Sequence, residues 1–254
     1  SFRNSCKSVN ERRSKMNIAI IFAGGVGTRM NTKDKPKQFL MVHGKPIIVH
    51  TIEKFQNHDE IDGIIVVCVE GWIEYMQEMQ YRYRLNKIGK IVPGGKTGQE
   101  SIYLGIQESS RLYDQDSIVL LHDGVRPIIS DELINTCISS TKTYGNAITV
   151  SQAIETIVLK DNELSHVGKI LSRDECLLAK APQCFYLKDI YKAHEKARSE
   201  NLEFIDSASM MQFYGTELFT VIGPAENIKI TTPIDFYTFK AYLEVKNSLN
   251  IMGL

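Results

Sequence analysis

An apolar run that stops abruptly at a glycine loop stands near the start of the chain. Residues 18–23 are all apolar, which is typical of a strand buried in a parallel sheet, and residues 24–29 then read Gly-Gly-Val-Gly-Thr-Arg. Glycine lets the backbone turn sharply there, and the exposed amides of such a turn form a concave anion site. Arg29, Lys35 and Lys37 add positive charge around the turn. The segment therefore predicts a strand whose carboxyl end holds phosphate groups.

Neither of the two common phosphate loops fits this segment. The pattern G-x-x-x-x-G-K-[ST] fails because no Gly-Lys-Ser/Thr follows at the required spacing. The dinucleotide pattern G-x-G-x-x-G begins at Gly25 and Gly27 but has Met30 in the place of the third glycine. The alternative without a ligand is a glycine-rich turn with solvated basic side chains, and the cations that follow the loop argue against it.

The composition limits the partners and the compartment. The chain has 254 residues, 43% of them hydrophobic, and a formal net charge of zero. That balance argues against nucleic acid or a membrane surface as partner, since such proteins usually carry a basic excess. No apolar stretch approaches the roughly twenty residues of a membrane helix. The five cysteines are scattered without a C-x-x-C pair, which favours reduced thiols in a cytoplasmic protein.

The sequence predicts one domain over residues 16–250. Residues 1–15 are polar and basic without the apolar core of a secretory signal, so we interpret them as a disordered or added extension before Met16. Short apolar strands then alternate with helical patterns, which indicates an α/β fold with a mostly parallel sheet and helices on both faces. The predicted strands cover residues 17–23, 63–69, 90–92, 117–121 and 146–150, and the predicted helices cover residues 47–56, 72–85, 100–109 and 131–143.

Residues 151–175 interrupt this alternation. Apolar and polar residues alternate on either side of a turn-like Asp161-Asn162-Glu163, which predicts a β-hairpin arm inserted into the α/β chain. An isolated hairpin is marginally stable in water, so we expect the arm to pack against another surface. The sequence leaves two alternatives for that surface, a second subunit and the chain's own domain.

Three later loops carry candidate ligand groups. Residues 94–101 contain three glycines and place Ser101 near a helix start, which suits a ligand-facing loop or an ordinary strand-to-helix turn. Asp123 ends an apolar strand, where a carboxylate can hold Mg²⁺ beside a triphosphate or form an ion pair with Arg126. Lys229 lies between two isoleucines, so in a strand it would point away from both, into a pocket or to solvent.

Taken in order, these segments resemble the cytidylyltransferase family of 2-C-methyl-D-erythritol 4-phosphate and D-ribitol-5-phosphate enzymes. The resemblance rests on AGGVGTRM, PKQFL, HGKPIIVHTI, PGG, HDGVRP, ETI, APQCFY, IDSAS and NIKITTPIDF, which together span nearly the whole chain. It implies a Rossmann-like nucleotidyltransferase that joins CMP from CTP to an alditol phosphate and releases pyrophosphate. It also implies Mg²⁺ as cofactor and a homodimer formed through the arm, with no nucleic-acid or membrane partner.

The resemblance also implies roles for individual residues. The catalytic residues that it implies are Arg29, Lys37 and Lys229. The residues that it implies for CTP are Ala23, Gly24, Gly25, Gly27, Thr28, Gly94, Ser101 and Asp123, with Asp123 also the Mg²⁺ ligand. The residues that it implies for the acceptor are Thr156, Arg173 and Asp206, the first two acting from the partner subunit.

The implied chemistry fits the residue types present. A phosphate monoester is mostly dianionic at neutral pH, so the acceptor can attack the α-phosphorus of CTP without a general base. Catalysis then requires positioning and charge stabilisation, which arginine, lysine and Mg²⁺ supply. We favour ribitol-5-phosphate as acceptor, in wall or capsule polymer synthesis. The alternatives are 2-C-methyl-D-erythritol 4-phosphate in isoprenoid precursor synthesis, a pyrophosphorylase for another nucleotide and a sugar 1-phosphate, and a non-catalytic nucleotide-binding module.

The chain departs from the family pattern at three positions. Gly98 stands where an arginine is usual, Ala181 where a threonine commonly precedes Pro-Gln, and Glu155 where an aspartate commonly precedes the arm threonine. The first departure removes a cation from the nucleotide loop, and Lys96 is a candidate replacement. These departures favour an acceptor other than methylerythritol phosphate.

Overall fold

The computed structural model describes residues 15–24, 35–161 and 166–252. Its strands are β1 (Asn17–Ala23), β2 (Met41–Val42), β3 (Lys45–Pro46), β4 (Gly63–Cys68), β5 (Ile88–Pro93), β6 (Ile118–Asp123), β7 (Asn146–Gln152), β8 (Ile157–Lys160), β9 (Val167–Leu171), β10 (Leu177–Tyr186) and β11 (Thr220–Ile222). Its helices are α1 (Ile47–Gln56), α2 (Ile73–Arg82), α3 (Gly98–Leu112), α4 (Asp131–Tyr144), α5 (Leu187–Ser199), α6 (Ser207–Phe213) and α7 (Pro233–Met252).

Seven strands form the main sheet in the order β11-β7-β10-β6-β1-β4-β5. β10 runs antiparallel to both of its neighbours, and the other pairs are parallel. The chain passes from β1 to β4 and β5 on one side and then returns to β6 on the other, so the strand order reverses at β1. Open α/β sheets bind ligands beyond the carboxyl ends of the strands at such a reversal. The predicted mostly parallel sheet is confirmed, and its topology points to a site beyond β1 and β6.

Helices cover both faces of this sheet. Along β1, Ala19 and Ile21 belong to a core with side chains of α1, α2 and α4, whereas Ile18 and Ile20 belong to a core with side chains of α3, α5 and α6. All four residues are fully buried, which explains why the sequence of β1 is apolar on both of its faces. The alternation of side chains along a strand thus divides one apolar run between two cores.

A third, smaller core joins α7 to the rest of the molecule. Phe239 of α7 belongs to it together with Val42, Ile47, Val125 and Ile230. Because Val125 follows β6 and Ile230 precedes α7, this core holds two loops beside each other at the carboxyl edge of the sheet. No described helix is both long and apolar enough to cross a membrane.

Local capping explains where the helix ends depart from the predicted ones. α1 has its predicted bounds, but α3 begins at Gly98, since the Thr97 side chain accepts a hydrogen bond from Glu100 N–H at 3.1 Å. α2 ends at Arg82 instead of residue 85, and Arg84 has a φ of +53°, which a helix cannot continue.

The arm is a hairpin of two short strands that span fewer residues than the predicted 151–175. β8 and β9 are antiparallel, with Val158 opposite Ile170. Ser151 and Gln152 belong instead to β7, because they pair with β10 in the main sheet. This pairing joins residues far apart in sequence, so local alternation gave no sign of where the sheet ends and the arm begins. The predicted tip lies largely outside the described residues.

Candidate active site

A cavity of about 1060 Å³ lies beyond the carboxyl ends of β1, β5 and β6. Its walls come from segments far apart in sequence: the end of β1, the loop before α3, the end of β6, the middle of β10, the start of α6 and the loop before α7. This is where the topology of the sheet favours ligand binding. The predicted site residues that line the cavity are Ala23, Gly24, Lys37, Gly94, Ser101, Asp123, Asp206 and Lys229.

Four predicted residues lie outside the part of the chain that the structure describes: Gly25, Gly27, Thr28 and Arg29. Their contact with the phosphates of CTP stays a prediction.

Gly24, Gly94 and Ser101 form one wall of the cavity, which we call the glycine wall. A Cβ atom on Gly24 would lie 2.9 Å from Ser101 Oγ, and a Cβ atom on Gly94 would lie 3.3 Å from both Gly24 Cα and Ser101 Oγ. A larger residue at Gly24 would therefore press on the Ser101 side chain, and one at Gly94 would press on the backbone of Gly24. The three residues pack against one another within the chain, and this packing sets the shape of the wall.

Ser101 holds the loop before α3 in its shape. Its hydroxyl oxygen accepts a hydrogen bond from Gly95 N–H at 3.0 Å and donates to the carbonyl oxygen of Thr97 at 3.0 Å. The amino-terminal end of α3, at Thr97 and Gly98, also lines the cavity. Unpaired amides and the positive end of the helix dipole favour an anion at such a position.

The basic segment after the glycine loop reaches the cavity through Lys37. Lys37 opens a 3-10 turn at Lys37–Phe39 and lines the cavity. The next side chain, Gln38, is buried, and its Nε2 donates a hydrogen bond to the carbonyl oxygen of Ala23 at 2.6 Å. Because Ala23 ends β1, this bond fixes the turn against the strand. Gln38 is a site residue that the sequence analysis does not single out, although it lies within the PKQFL motif.

Asp123 ends β6 between two cations. Its Oδ1 accepts a hydrogen bond from Lys229 Nζ at 2.7 Å, and its Oδ2 accepts one from Arg126 Nε at 2.8 Å. Burial by itself would raise the pKa of Asp123, but the charges of Lys229 and Arg126 outweigh burial and lower the pKa to about 2. Asp123 is therefore a carboxylate at neutral pH. The ion pair with Arg126, one of the two interpretations of this motif, is formed.

Lys229 lies in a loop, so its predicted place in a strand is wrong. Residues 228–230 pair with no neighbouring strand, and Ile230 N–H instead donates to the carbonyl oxygen of Val125 at 2.9 Å. The expected alternation nevertheless holds, because Ile230 is fully buried while the Lys229 side chain is 43% exposed. Lys229 and Asp123 thus meet through two loops that the third core holds together.

His122 supports the Arg126 loop. Its Nε2 lies 3.0 Å from the carbonyl oxygen of Arg126, so this nitrogen carries the ring proton. Burial lowers the pKa of His122 to about 4, which keeps the ring neutral near pH 7. The described residues contain no group of three His, Cys, Asp or Glu side chains able to hold a metal ion by themselves.

Asp206 caps α6 at the far side of the cavity. Its Oδ1 accepts a hydrogen bond from Ser209 N–H at 2.8 Å, and its Oδ2 accepts one from Gln183 Nε2 at 2.9 Å. Gln183 Oε1 in turn accepts from Ala208 N–H. Asp206 lines the cavity as predicted, and its contact with the acceptor stays a prediction.

Thr156 and Arg173 do not line the cavity of their own chain. Thr156 is exposed just before β8, and the Arg173 side chain is 63% exposed, with its Nε 4.0 Å from Asp174 Oδ1. Both residues lie at the base of the arm, so neither reaches the site that the other predicted residues share. By contrast, Lys180 of β10 lines the cavity although it is not among the predicted site residues. The sequence offers one indication of its place, since Lys180 directly precedes the APQCFY motif.

The sequence and the fold have known counterparts. The family model for 2-C-methyl-D-erythritol 4-phosphate cytidylyltransferase matches residues 17–245. The structure is similar to that of 4-diphosphocytidyl-2C-methyl-D-erythritol synthase from Anaerococcus prevotii, with a TM-score of 0.77 and 28% identity over 91% of this chain and 99% of the other. It is also similar to the Francisella tularensis 2-C-methyl-D-erythritol 4-phosphate cytidylyltransferase, with a TM-score of 0.74 and 29% identity over 89% of this chain and 100% of the other.

The sequence is similar to two groups of enzymes, which carry different names. A ribitol-5-phosphate cytidylyltransferase from Vibrio parahaemolyticus is 49% identical, and one from Streptococcus agalactiae is 51% identical, each over 94% of this chain and 100% of the relative. A 2-C-methyl-D-erythritol 4-phosphate cytidylyltransferase from Clostridium acetobutylicum is 38% identical over 92% of this chain and 100% of the relative. The chain therefore belongs to the 2-C-methyl-D-erythritol 4-phosphate cytidylyltransferase family and is a nucleotidyltransferase.

Proposed function

We propose that this chain transfers CMP from CTP to ribitol-5-phosphate and so forms CDP-ribitol and pyrophosphate. The observation that carries the proposal is that a carboxylate held between two cations at the end of β6 shares one cavity with the glycine wall at the end of β1. That arrangement suits a nucleoside triphosphate at the edge of the sheet. The relatives that are about half identical carry the ribitol-5-phosphate name, which favours this acceptor.

In the proposed complex, the cytidine binds at the glycine wall and the triphosphate extends toward Asp123. Gly24 and Gly94 line the cavity there, and their lack of side chains lets the ends of β1 and β5 lie close together. Lys37 and Lys229 line the same cavity and supply positive charge for the phosphate oxygens. Arg29 of the glycine loop completes the predicted set of cations.

The residues present fit a magnesium ion that the protein and the nucleotide hold jointly. Mg²⁺ commonly binds through one or two carboxylates together with substrate phosphates. Asp123 supplies one ionised carboxylate, and the described residues supply no closed metal site around it. Asp123 would hold the ion in exchange for its contact with Lys229. When bound, Mg²⁺ neutralises negative charge on the triphosphate.

The acceptor phosphate is the nucleophile in the proposed reaction. One of its oxygens bonds to the α-phosphorus of CTP while the bond from that phosphorus to the oxygen bridging to the β-phosphate breaks, and pyrophosphate leaves with this oxygen. Lys37, Arg126 and Lys229 are placed in the cavity to stabilise the charge that develops. The dianion needs no base to remove a proton.

We also propose a homodimer formed through the arm. Val158, Leu159, Val167 and Ile170 are between 47% and 63% exposed although they are apolar. Exposed apolar side chains of this kind favour an interaction site, and a bare hairpin is marginally stable. Size-exclusion chromatography with light scattering measures the mass: we expect twice the 28.8 kDa of one chain, and a mass of one chain would contradict the dimer.

The proposal includes a cytoplasmic location and one catalytic domain over residues 16–250. Cys68, Cys137 and Cys184 are buried free thiols, which is typical of a reducing compartment. Residues from β1 to α7 contribute to the hydrophobic cores around the main sheet, which supports one domain.

A pyrophosphate-release assay tests the acceptor. The purified protein receives CTP, Mg²⁺ and either ribitol-5-phosphate, a glycerol phosphate or 2-C-methyl-D-erythritol 4-phosphate. We expect kcat/KM to be at least about tenfold higher with ribitol-5-phosphate, because a site built to bind extra hydroxyl groups discriminates against acceptors that lack them. A higher value with methylerythritol phosphate would support the alternative enzyme, and no turnover with any acceptor would support a nucleotide-binding module.

A further inference from the structure

Lys180 brings to the cavity a positive charge that no carboxylate among the described residues pairs with. Its Nζ donates hydrogen bonds to the carbonyl oxygens of Ala225 at 2.8 Å and Pro224 at 3.5 Å. An ammonium group has three protons, so these contacts leave at least one for another acceptor. Backbone carbonyls stabilise the charge but do not neutralise it.

The strand order places Lys180 away from the nucleotide. β6, which ends in Asp123, lies between β1 and β10 in the sheet. The glycine wall therefore lies on the β1 side of Asp123, whereas Lys180 lies on the β10 side. If the nucleotide binds on the β1 side, the β10 side of the cavity is the part that it leaves for the acceptor.

Three cations line this cavity, and two of them pair with the same carboxylate. Arg126 and Lys229 share Asp123, and Lys180 adds a third charge. Burial and the nearby charge of Arg126 lower the pKa of Lys180, while Glu226 acts in the opposite direction. Like charges gathered in this way are unfavourable until an anion binds among them. Against Asp123 and Glu226, the three cations leave an excess of one positive charge, which favours an anionic ligand such as a phosphate monoester.

Asn227 ties the segments that carry the three cations to one another. The side-chain Nδ2 of Asn227 donates a hydrogen bond to the carbonyl oxygen of Ala181 at 2.7 Å. The backbone carbonyl oxygen of Asn227 accepts one from Arg126 Nη1 at 2.9 Å. Asn227 is fully buried and lies two residues before Lys229. The cations are therefore positioned before any ligand arrives, which lowers the free-energy cost of binding one.

We propose that Lys180 binds the phosphate group of the acceptor. This inference rests on the proposed function and deepens it. Ala181, the next residue, stands where a threonine is common in the family, so Lys180 supplies a charged donor beside a position that has lost a hydroxyl group.

Steady-state kinetics of the full chain test this role. The variants are Lys180→Met, Lys180→Arg and, as a control, Lys192→Met on the exposed face of α5. We expect Lys180→Met to raise the KM for ribitol-5-phosphate about tenfold or more while the KM for CTP stays within about twofold, since a charge-assisted hydrogen bond to the acceptor alone is lost. Lys180→Arg should recover part of the affinity. An unchanged KM for the acceptor, or an equal rise in both KM values, would overturn the proposal and leave Lys180 as a support of the loop at 224–225.

Calorimetric titration with inorganic phosphate, in the presence of CTP and Mg²⁺, separates this inference from the proposed function. If the unaltered protein does not use ribitol-5-phosphate, the proposed acceptor fails, and the titration alone judges Lys180. We expect Lys180→Met to weaken phosphate binding about tenfold relative to the unaltered protein and to Lys192→Met. Equal affinities, or no phosphate binding by the unaltered protein, would overturn the assignment.

Discussion

The glycine wall and the arm are two binding surfaces built in opposite ways. In the wall, Gly24 and Gly94 lie almost in contact, and the buried Ser101 satisfies its hydroxyl group within the chain. In the arm, apolar side chains such as Val158 and Ile170 face solvent. The wall is complete in one chain, whereas the arm needs a surface to cover it. We infer that one chain builds the nucleotide half of the reaction and that the acceptor half depends on a second copy.

The largest expected effect comes from Lys37→Ala, which removes charge beside the wall and leaves the arm untouched. We expect kcat to fall about 10²- to 10³-fold, because a cation placed for the developing charge is lost. The fold should survive, since the neighbouring Gln38 holds the turn against β1. Rapid-quench measurement of the chemical step checks the prediction. A rate within about threefold of the unaltered protein would remove Lys37 from the catalytic set.

Gly94→Ala tests whether the wall depends on close backbone approach. A Cβ atom there would lie 3.3 Å from Gly24 Cα and 3.4 Å from the carbonyl oxygen of Cys68. We expect a loss of about 1–3 kcal/mol in the free energy of unfolding, measured with urea, and a rise in the KM for CTP. Gly98→Ala is the matched control, because a Cβ atom at Gly98 would meet nothing within 4 Å. Equal effects of the two substitutions would contradict the packing argument.

Ile170→Glu tests the arm without touching the wall. Ile170 is 63% exposed within one chain, so the charge should dissociate the proposed dimer and leave the thermal midpoint of the monomer nearly unchanged. We expect the KM for the acceptor to rise about tenfold or more and CTP binding to persist. Light scattering and a CTP titration measure both effects. Tyr81→Glu, at an 89% exposed position on α2, is the control, and dissociation by both variants would mean that the arm is not the interface.

The smallest expected effect is a dependence of the free energy of unfolding on pH, which Asp123 causes. Asp123 and the two cations that pair with it lie within one chain, so this effect does not involve the arm. The Asp123 pKa of about 2 in the folded protein lies below the ordinary value of 3.8, so its contribution is present above about pH 4 and is lost as the pH falls toward 2. That contribution is about 2 kcal/mol. Urea unfolding of the unaltered protein and of Asp123→Asn should differ more at pH 6 than at pH 2.5. A difference independent of pH would contradict the charge pairing.

The sequence predicts the parts of the molecule that depend on local pattern. β1 and α1 have their predicted bounds, and the apolar run before Asp123 predicts a strand that ends at the site. A single strand or helix decides these features through its own periodicity and end signals. The sequence predicts the residues of the glycine wall as ligand-binding residues. It does not predict that they contact one another, because that contact depends on the register of the sheet.

The features that the sequence leaves open depend on contacts between distant residues. β10 extends the main sheet into the predicted arm because it pairs with Gln152, and Lys229 lies in a loop because residues 228–230 pair with none of the described strands. Lys180 becomes a site residue only when β10 lies next to β6. Local pattern carries no information about such neighbours, so the acceptor side of the site was harder to predict than the nucleotide side.

A mixture of two inactive variants tests whether each site combines residues of two chains. The Lys37→Ala substitution removes a cation from the nucleotide half of the site in its own chain. The Arg173→Ala substitution removes a cation that we assign to the acceptor half of the site in the partner chain. If each site combines Lys37 of one chain with Arg173 of the other, a mixed dimer has one intact site and one site that lacks both groups.

The two variants are unfolded together in equal amounts, refolded and assayed for pyrophosphate release with CTP and ribitol-5-phosphate. Half of the dimers are then mixed, and half of their sites are intact, so we predict about a quarter of the activity of the unaltered protein treated in the same way. A mixture no more active than the two variants measured separately would show that each chain completes its own site, and it would contradict the account.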